Sequence, residues 1–477
     1  MNTFEFSLIR HGRTSDGQTT APLVDQIVQQ IGRAMHEGRL RPGDRLPSIR
    51  RLATTLKVSP FTVSDAYQRA SAQGLVNSRP GSGYSVADWR GETVPRPWAV
   101  PALNAAWLLS DVFADHSVPT KAGCGWIPGE WINSAGLQHA LRVLSRAPGA
   151  RMGGYGHPYG MGRLREQIAA RLRSTGLPVD SNRILMTQGV TQALDIVVRT
   201  LFRPGDTVLV EDPGYCNLLQ ILQLAGLKVI GVAKTHDGVD LAQLDALAHQ
   251  HQPKAVFVNT VLQNPSGVSF SKSCAVSLIE VAKAHDMWII EDDIYRELAQ
   301  ADLPCLAALD GLQRVIYLSG FSKTISPMLR VGFLSAHESL LQSFARTKMA
   351  VGLTSSEVSE RIVSNVLLEG HHEQHVSALK AQLHQAHQLV AGHFKEIGIP
   401  MFVEPGAGLF LWADLPIAPS RANDIAAQAL EHGIWLAPGS YFRPLDQPSS
   451  WFRFNVANAD SESLWRFIGQ LAGKASL

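Results

Sequence analysis

The sequence predicts two folds on one chain: a small N-terminal α+β head and a much larger α/β body on a largely parallel sheet. Three observations carry this. Residues 21–88 show helical apolar periodicity followed by two short strand-like runs around glycines. Residues 89–101 contain Pro95, Pro97 and Pro101, which interrupt regular structure and mark a boundary. Beyond them, short apolar runs alternate with helical stretches, the pattern of strands buried beneath helices.

The bulk composition bounds the possibilities. A chain of 477 residues has room for several domains at roughly 100–200 residues each. With 45% hydrophobic and 18% charged residues it is globular rather than disordered or coiled-coil. The net charge of +2 excludes a global basic field, so any nucleic-acid binding must come from a local patch. Cys124, Cys216, Cys274 and Cys305 form no C-x-x-C pair, so neither a zinc ribbon nor a redox motif is expected. So few cysteines suit a reducing cytoplasm. The first residues show no secretory pattern. The apolar runs at 255–258 and 287–290 are far shorter than the ~20 residues of a membrane span.

The head reads in order. Leu23, Ile27, Ile31 and Met35 form one helical stripe that Gly38 ends, and Pro42-Gly43-Asp44 makes a turn. Ser48 caps a second helix with Ile49, Leu52, Ala53 and Leu56 inward. Ser59 opens a third with Val63, Ala66 and Tyr67 apolar, and Gly74 closes it. Residues 75–79 and 84–86 are two strands around Pro80-Gly81-Ser82-Gly83, a β-hairpin wing. Helix, helix-turn-helix and wing in this order is a DNA-binding arrangement, with the third helix entering the major groove. Residues 20–88 carry nine basic side chains against five acidic ones, so this segment is more basic than the chain. Any three-helix unit shows such stripes, so periodicity alone leaves a plain structural role open.

The string EGRLRPGDRLPSIRRLATTLKVSPFTVSDAYQRASAQGLVNSRPGSGYSV resolves that choice. It resembles the GntR winged-helix family through Gly-Asp-Arg-Leu-Pro-Ser-x-Arg, Val-Ser-x-x-Thr-Val and Arg-Pro-Gly-Ser-Gly. The resemblance implies phosphate or base contacts from Arg45, Ser48, Arg50, Ser59 and Thr62, and from Arg79, Gly81 and Gly83 of the wing. One departure is Pro60-Phe61, where many members carry an arginine just after Val-Ser. No bidentate guanine contact is available there, and the operator does not carry over.

In the body, strands are expected at 183–186, 207–210, 228–231, 255–259, 288–291, 315–318 and 330–334, with a helix at 102–113. Functional groups of such sheets gather at strand carboxyl ends. Lys323 follows one strand with Ser319 and Ser322 nearby and Arg330 on the next, a phosphate partner. A lysine near an arginine has a lowered pKa, which favours Schiff-base formation; a solvated surface lysine is the plain alternative. Asp292 could hold a pyridine nitrogen or cap a helix. Tyr295 and Asn264 could contact a ring oxygen, and Asn264-Pro265-Ser266-Gly267 is also an ordinary turn signal. Val190 and Thr191 open a helix whose N-terminus could receive a phosphate. Tyr215 could stack on a ring or sit exposed on a loop. Arg453, on an apolar C-terminal strand, needs a partner, either a ligand carboxylate or a structural acid. His371 and His375 are spaced as metal ligands on a helix could be, but without a third ligand this stretch reads as a solvated helix face and no metal is expected.

The strings GYGHPYGMGRLREQIA, LMTQGVTQALD, EDPGY, NPSG, IIEDDIYRE, SGFSKTISPMLRVG and FRFNV occur in the order of the class I, fold-type I aminotransferases. A GntR head on such a body resembles the MocR family of bacterial transcription regulators. The resemblance implies pyridoxal 5'-phosphate held as an internal aldimine on Lys323, with Asp292 on the pyridine nitrogen and Tyr295 and Asn264 on the ring oxygen. It places Tyr215 on the ring, and Arg330, Ser322, Val190 and Thr191 on the phosphate. Arg453 would take an effector carboxylate. Gly320 departs from the serine or threonine common three residues before the lysine, which puts phosphate affinity in question; Ser319 or Ser322 could substitute. The expected organisation is an extension 1–20, a head 21–88, a linker 89–101 and a body 102–477, with a large subdomain at about 150–350 and a small one mainly at 351–477. The expected protein is a cytoplasmic homodimer whose heads read paired DNA half-sites and respond to the cofactor or to an amine or amino acid. An active aminotransferase with a DNA-binding tether is the alternative, and a cofactor-free regulator a third.

Overall fold

The computed structural model describes residues 6–8, 22–36, 39–79, 83–87, 118–146, 153–368 and 370–473. Contacts divide the chain into Met1–Ala99 and Val100–Leu477. The expected helix at 102–113 and the wing-tip residues 80–82, Gly81 among them, lie outside the described residues.

The head contains α1 (Leu23–His36), α2 (Ile49–Leu56), α3 (Pro60–Ala72) and the antiparallel pair β1 (Val76–Arg79) and β2 (Gly83–Val86). Ser48 and Ser59 are the N-caps, accepting from the amides of Arg51 and Thr62, and Pro60 occupies the first turn of α3. Ile27, Ile31, Leu52, Val63, Ala66, Tyr67 and Val86 form the core. Arg69 pairs with Asp25 at 3.2 Å and with Asp65 at 3.1 Å, tying α3 to α1. The Arg45 segment bridges to Ser85, so the wing gains a short third edge.

The body opens with α4 (Ser134–Ser145) and α5 (Gly162–Ser174). Then come β3 (Ile184–Thr187), α6 (Gly189–Leu201), β4 (Thr207–Asp212), α7 (Cys216–Leu224), β5 (Lys228–Thr235), β6 (Gly238–Val239) and α8 (Leu241–His251). They are followed by β7 (Ala255–Val258), α9 (Lys272–Ala284), β8 (Trp288–Asp292), α10 (Leu306–Asp310), β9 (Val315–Gly320), β10 (Gly332–Ser335) and α11 (Glu338–Gly352). The sheet order is β3-β10-β9-β8-β7-β4-β5-β6. Strand residues alternate between its faces. Leu209, Val256, Ile289 and Val315 meet one helical layer, with Ile168, Leu244, Leu278 and Val363. Val208, Phe257, Ile290 and Ile316 meet the other, with Leu194, Leu219 and Phe344.

The expected sheet is largely parallel, and β4, β5, β7, β8 and β9 are so paired. β10 differs: it runs antiparallel between β3 and β9. The loop from β9 to β10 is too short for the crossover that parallel neighbours need. That loop carries Lys323 and Arg330.

The chain continues through α12 (Glu357–Leu368), α13 (His371–Ile397), β11 (Phe410–Asp414), α14 (Ala422–Glu431), β12 (Ala437–Pro438), β13 (Trp451–Asn455) and α15 (Glu462–Leu471). A three-stranded sheet, β11-β13-β12, packs with α13, α14 and α15 around Leu383, Phe394, Phe410, Phe452, Phe454 and Ile468. Ala122 and Ile127 belong to this core although they precede the large subdomain in sequence. The segment 118–127 is thus an arm of the small subdomain. The solvated-face reading of residues 371–380 does not extend to His372, which is 1% exposed and whose Nε2 meets Glu297 at 3.1 Å, while Glu373, Gln374, Ser377 and Ala378 are exposed. His372 thus packs against the large subdomain.

Candidate functional site

Lys323 stands in the β9–β10 loop, at the carboxyl end of the central strands. Its ammonium donates to the Gly125 carbonyl at 2.7 Å and lies 5.7 Å from the centre of the Tyr295 ring. Burial pushes its pKa down to about 8; the Arg453 and Arg330 charges add to this, and Cys124 and Asp292 oppose it. A far larger share of amine is therefore neutral near pH 8 than at a solvated lysine.

Asp292 ends β8. Its carboxylate accepts from the Ile294 amide at 3.2 Å, and its carbonyl accepts from Asn259 Nδ2 at 2.6 Å. Burial raises the carboxyl to about 7. Its neighbours Glu291 and Asp293 lie with Cys305 in a buried cluster whose ligand atoms are within 4.8 Å of one another. Glu291 accepts from the amides of Leu306 and Ala307 and from Thr260. Asp293 takes Arg296 and the Tyr317 hydroxyl. The sequence reading missed this cluster; the signal was the run Glu-Asp-Asp after an apolar strand.

Where the anion cradle is expected, two glycines allow close packing. Gly189, at φ +79°, opens α6, and a Cβ there would come 2.5 Å from Arg330 Nη2. The Arg330 guanidinium therefore lies directly over the helix N-terminus, and its Nη2 donates to the Gln188 carbonyl at 3.4 Å. A Cβ on Gly332 would approach the Val190 nitrogen to 2.9 Å, so β10 backs onto the same turn. The amides of Val190 and Thr191 lie in that first turn, where helix donors have no intrahelical acceptor. Ser322 precedes Lys323 in the loop. The Ser319 hydroxyl donates to the Asp293 carbonyl at 3.1 Å, so it is committed elsewhere.

Tyr215 follows β4 as the residue before α7, and its hydroxyl accepts from Asn217 at 3.0 Å. Tyr295 is 4% exposed, stands edge-on to Phe410, and has its hydroxyl pKa held well above normal by burial. The Asn264 amide donates to Asn259 Oδ1 at 3.0 Å. Behind these residues, Glu211 accepts from Lys234, the Asn259 amide and Gln263, all buried.

Arg453 is 3% exposed between the rings of Phe410 and Phe442, 4.8 and 4.7 Å from their centres. It donates to Asn264 Oδ1 at 2.8 Å and to the Gly123 carbonyl at 2.6 Å, and its Nε is buried without a partner. Among the described residues no carboxylate pairs with it. Of the two partners expected for Arg453, the structural acid is absent among the described residues.

The arm closes one side of this constellation. It hydrogen-bonds to the small subdomain through Thr120, Gly123 and Ala122. Its carbonyls at Gly123 and Gly125 receive Arg453 and Lys323. Those at Cys124 and Trp126 receive Asn455 Nδ2 at 3.1 and 2.7 Å. Sequence reasoning placed these residues in the body, after a linker at 89–101, but gave them no role, because backbone acceptors leave no side-chain signature. The closely spaced Gly123 and Gly125 were the readable hint.

On the head, Arg45, Ser48, Arg50 and Ser59 are exposed, and Thr62 is half-buried with its hydroxyl 2.8 Å from that of Ser59. Gly83 is exposed at φ +79°. Arg79 ends β1; its side chain and Gly81 lie outside the described residues.

Residues 23–86 match the family model for bacterial regulatory proteins of the gntR family, and residues 134–471 match that for aminotransferase class I and II. The chain belongs to the MocR-type GntR regulators. Similar to this MocR-type regulator is the HTH-type transcriptional regulator YdcR of Escherichia coli (strain K12), 30% identical, covering 91% of this chain and 94% of that one. The probable rhizopine catabolism regulatory protein MocR of Rhizobium meliloti is 28% identical over 76% of each. Among solved structures, LysN, an α-aminoadipate aminotransferase of Thermus thermophilus complexed with N-(5'-phosphopyridoxyl)-L-leucine, aligns at TM-score 0.69 and 26% identity. It covers 75% of this chain and 92% of that one. A kynurenine aminotransferase of Pyrococcus horikoshii aligns at TM-score 0.71 and 24% identity over 79% and 95%, a likeness of fold. The architecture is thus a winged helix-turn-helix joined to a fold-type I aminotransferase-like body.

Proposed function

We propose that this regulator binds pyridoxal 5'-phosphate at Lys323 and changes its DNA affinity when the cofactor, or an amine or amino acid with a carboxylate, enters the site. The donor set fits the group. Lys323 offers an amine with a depressed pKa and Asp292 a buried acid for a ring nitrogen. Tyr295 and Asn264 would contact the ring oxygen and Tyr215 would stack on the ring. Arg330, Ser322 and the first turn of α6 with Val190 and Thr191 form the cradle a phosphate requires. Pyridoxal phosphate, when bound, supplies an aldehyde carbon for amines and an electron-withdrawing ring.

The observation that carries the reading is the arm. Lys323 and Arg453 both spend hydrogen bonds on carbonyls of residues 123–125. Bonding to the cofactor would leave the Lys323 nitrogen at most one N–H where the free ammonium has three, and would draw it away from the Gly125 carbonyl. A carboxylate drawn to Arg453 would share a guanidinium whose Nη1 and Nη2 already donate to Asn264 and the Gly123 carbonyl, which would weaken those bonds. Both events loosen the arm, and the arm is the part of the body next in sequence to the chain leading from the head. Coupling of this kind needs a difference in affinity between two arrangements, and release of the arm provides one. DNA binding draws on Arg45, Ser48, Arg50, Ser59, Thr62, Arg79, Gly81 and Gly83. The protein acts in the cytoplasm as a homodimer on paired half-sites. Among the described residues no helix is long and apolar enough to cross a membrane.

The test is Lys323→Ala in a DNA-binding titration with and without pyridoxal phosphate. The wild type should take up the cofactor, absorb in the near-visible, and shift its DNA affinity; the variant should bind DNA without responding. An unchanged response in Lys323→Ala sinks the reading. The second reading, a working aminotransferase, is favoured by the presence of the amine, the acid and the carboxylate receptor together. Sustained turnover of amino donors with 2-oxo acids at about 1 s⁻¹ or more would establish it. A purified protein that takes up no cofactor at all would leave a regulator whose body only dimerises.

A further inference from the structure

We infer that Phe61 reads a thymine methyl group in the major groove, so that each half-site of the operator contains a fixed A·T pair at that point. This rests on the head being the DNA-binding module.

Helix α3 buries Val63, Ala66, Tyr67 and Ala70. At 3.6 residues per turn, Phe61 lies roughly 170° from the middle of that face. It is 81% exposed, the only large apolar side chain of the head to be so among the described residues. A lone exposed apolar side chain needs no explanation on an ordinary surface. This one stands in the first turn of the third helix of a winged helix-turn-helix, whose N-terminal residues reach base edges. The Ser59 cap and Pro60 hold that turn in place.

The surroundings fit DNA. Arg45, Arg50, Arg51 and Lys57 are all exposed on the head. The acid on the outward face of α3, Asp65, is already paired with Arg69. Basic side chains of this kind hold phosphates and set register, but carry no sequence information. A phenyl ring has neither donor nor acceptor for guanine, cytosine or adenine edges. The thymine C5-methyl is the one apolar group that a major-groove base edge presents.

The experiment uses the full chain. Bound duplexes are enriched from a random library, and each thymine of the consensus is then replaced by uracil, which removes only the methyl. The wild type should lose affinity about 3–10-fold at one thymine per half-site, the scale of one buried methyl against a ring. Phe61→Ala should bind the parent duplex more weakly and be indifferent to that replacement. Phe61→Arg should move the preference at that position to guanine. Uracil tolerated by the wild type at every position, or equal sensitivity in Phe61→Ala, overturns the proposal while leaving the head a DNA reader. If no duplex is enriched, the DNA-binding reading itself fails, and this inference with it. The uracil series uses only wild-type protein, so it does not depend on how the variants fold.

Discussion

A side chain at position 320 would collide with the strand beside it. A Cβ there would stand 2.9 Å from the Val331 carbonyl oxygen and 3.0 Å from the Gly332 Cα. Restoring the hydroxyl residue common at this point, as Gly320→Ser, should therefore cost about 1–3 kcal/mol of stability and weaken cofactor uptake rather than strengthen it. Denaturant melts and a pyridoxal phosphate titration would check both. Lys323 gives a pH prediction. Only the neutral amine attacks a carbonyl carbon, and burial sets its pKa at about 8. Uptake by the cofactor-free protein should accelerate as pH rises through 8 and then level, instead of climbing towards 10. Asp292 gives one of stability. Burial raises its carboxyl from 3.8 to about 7, so between those values the folded chain holds a proton that the unfolded chain has released. Its contribution is present below pH 4 and lost as pH rises through 7. Asp292→Asn should abolish that part of the slope in cofactor-free melts. Lys323, Asp292 and Tyr295 were legible because their chemistry is in their side chains and their spacing is local. That Arg453 meets Asn264 and Gly123 was not, because those partners are set by the packing of two subdomains.

The strands and helices of the body were readable from alternating apolar runs, and the two caps of the head from Ser48 and Ser59. The direction of β10 was not, since periodicity reports burial and is blind to strand polarity. Nor was the buried ion pair that links β4 to β5. Lys234 and Glu211 are fully enclosed, and Glu211 also holds the Asn259 amide and Gln263. Lys234→Met leaves that carboxylate without its cation and should cost about 3–5 kcal/mol. The double variant Lys234→Met, Glu211→Leu should recover part of it in urea unfolding, less what the amides of residues 259 and 263 lose. In the head, Ser59→Ala removes a capping acceptor and should cost about 0.5–2 kcal/mol, read as a lower melting point and a weaker DNA complex.

At the scale of the molecule, the chain holds a head with a core of its own and a body with several. Heating should therefore give separate transitions. Pyridoxal phosphate at 100 times its Kd should stabilise the body by about 2.7 kcal/mol and leave the head's transition where it was. A shift in both would mean that the two parts unfold as one. The two modules were legible from their motifs, whereas the arm that meets Lys323 and Arg453 became visible only in three dimensions.

The bonds from Lys323, Arg453 and Asn455 to the arm end on main-chain oxygens, with one further contact from Asn455 to the Cys124 Sγ at 3.2 Å. Every amino acid supplies that oxygen, so substitution along 124–126 cannot delete the main-chain acceptors, and at Cys124 removes only the sulfur contact. Position 123 is tighter, since a Cβ there would meet the Ala437 nitrogen at 2.5 Å. A genetic screen for proteins that still bind DNA but no longer respond should thus return few substitutions in the arm. It should be rich in insertions and deletions there, which slide the oxygens out of register.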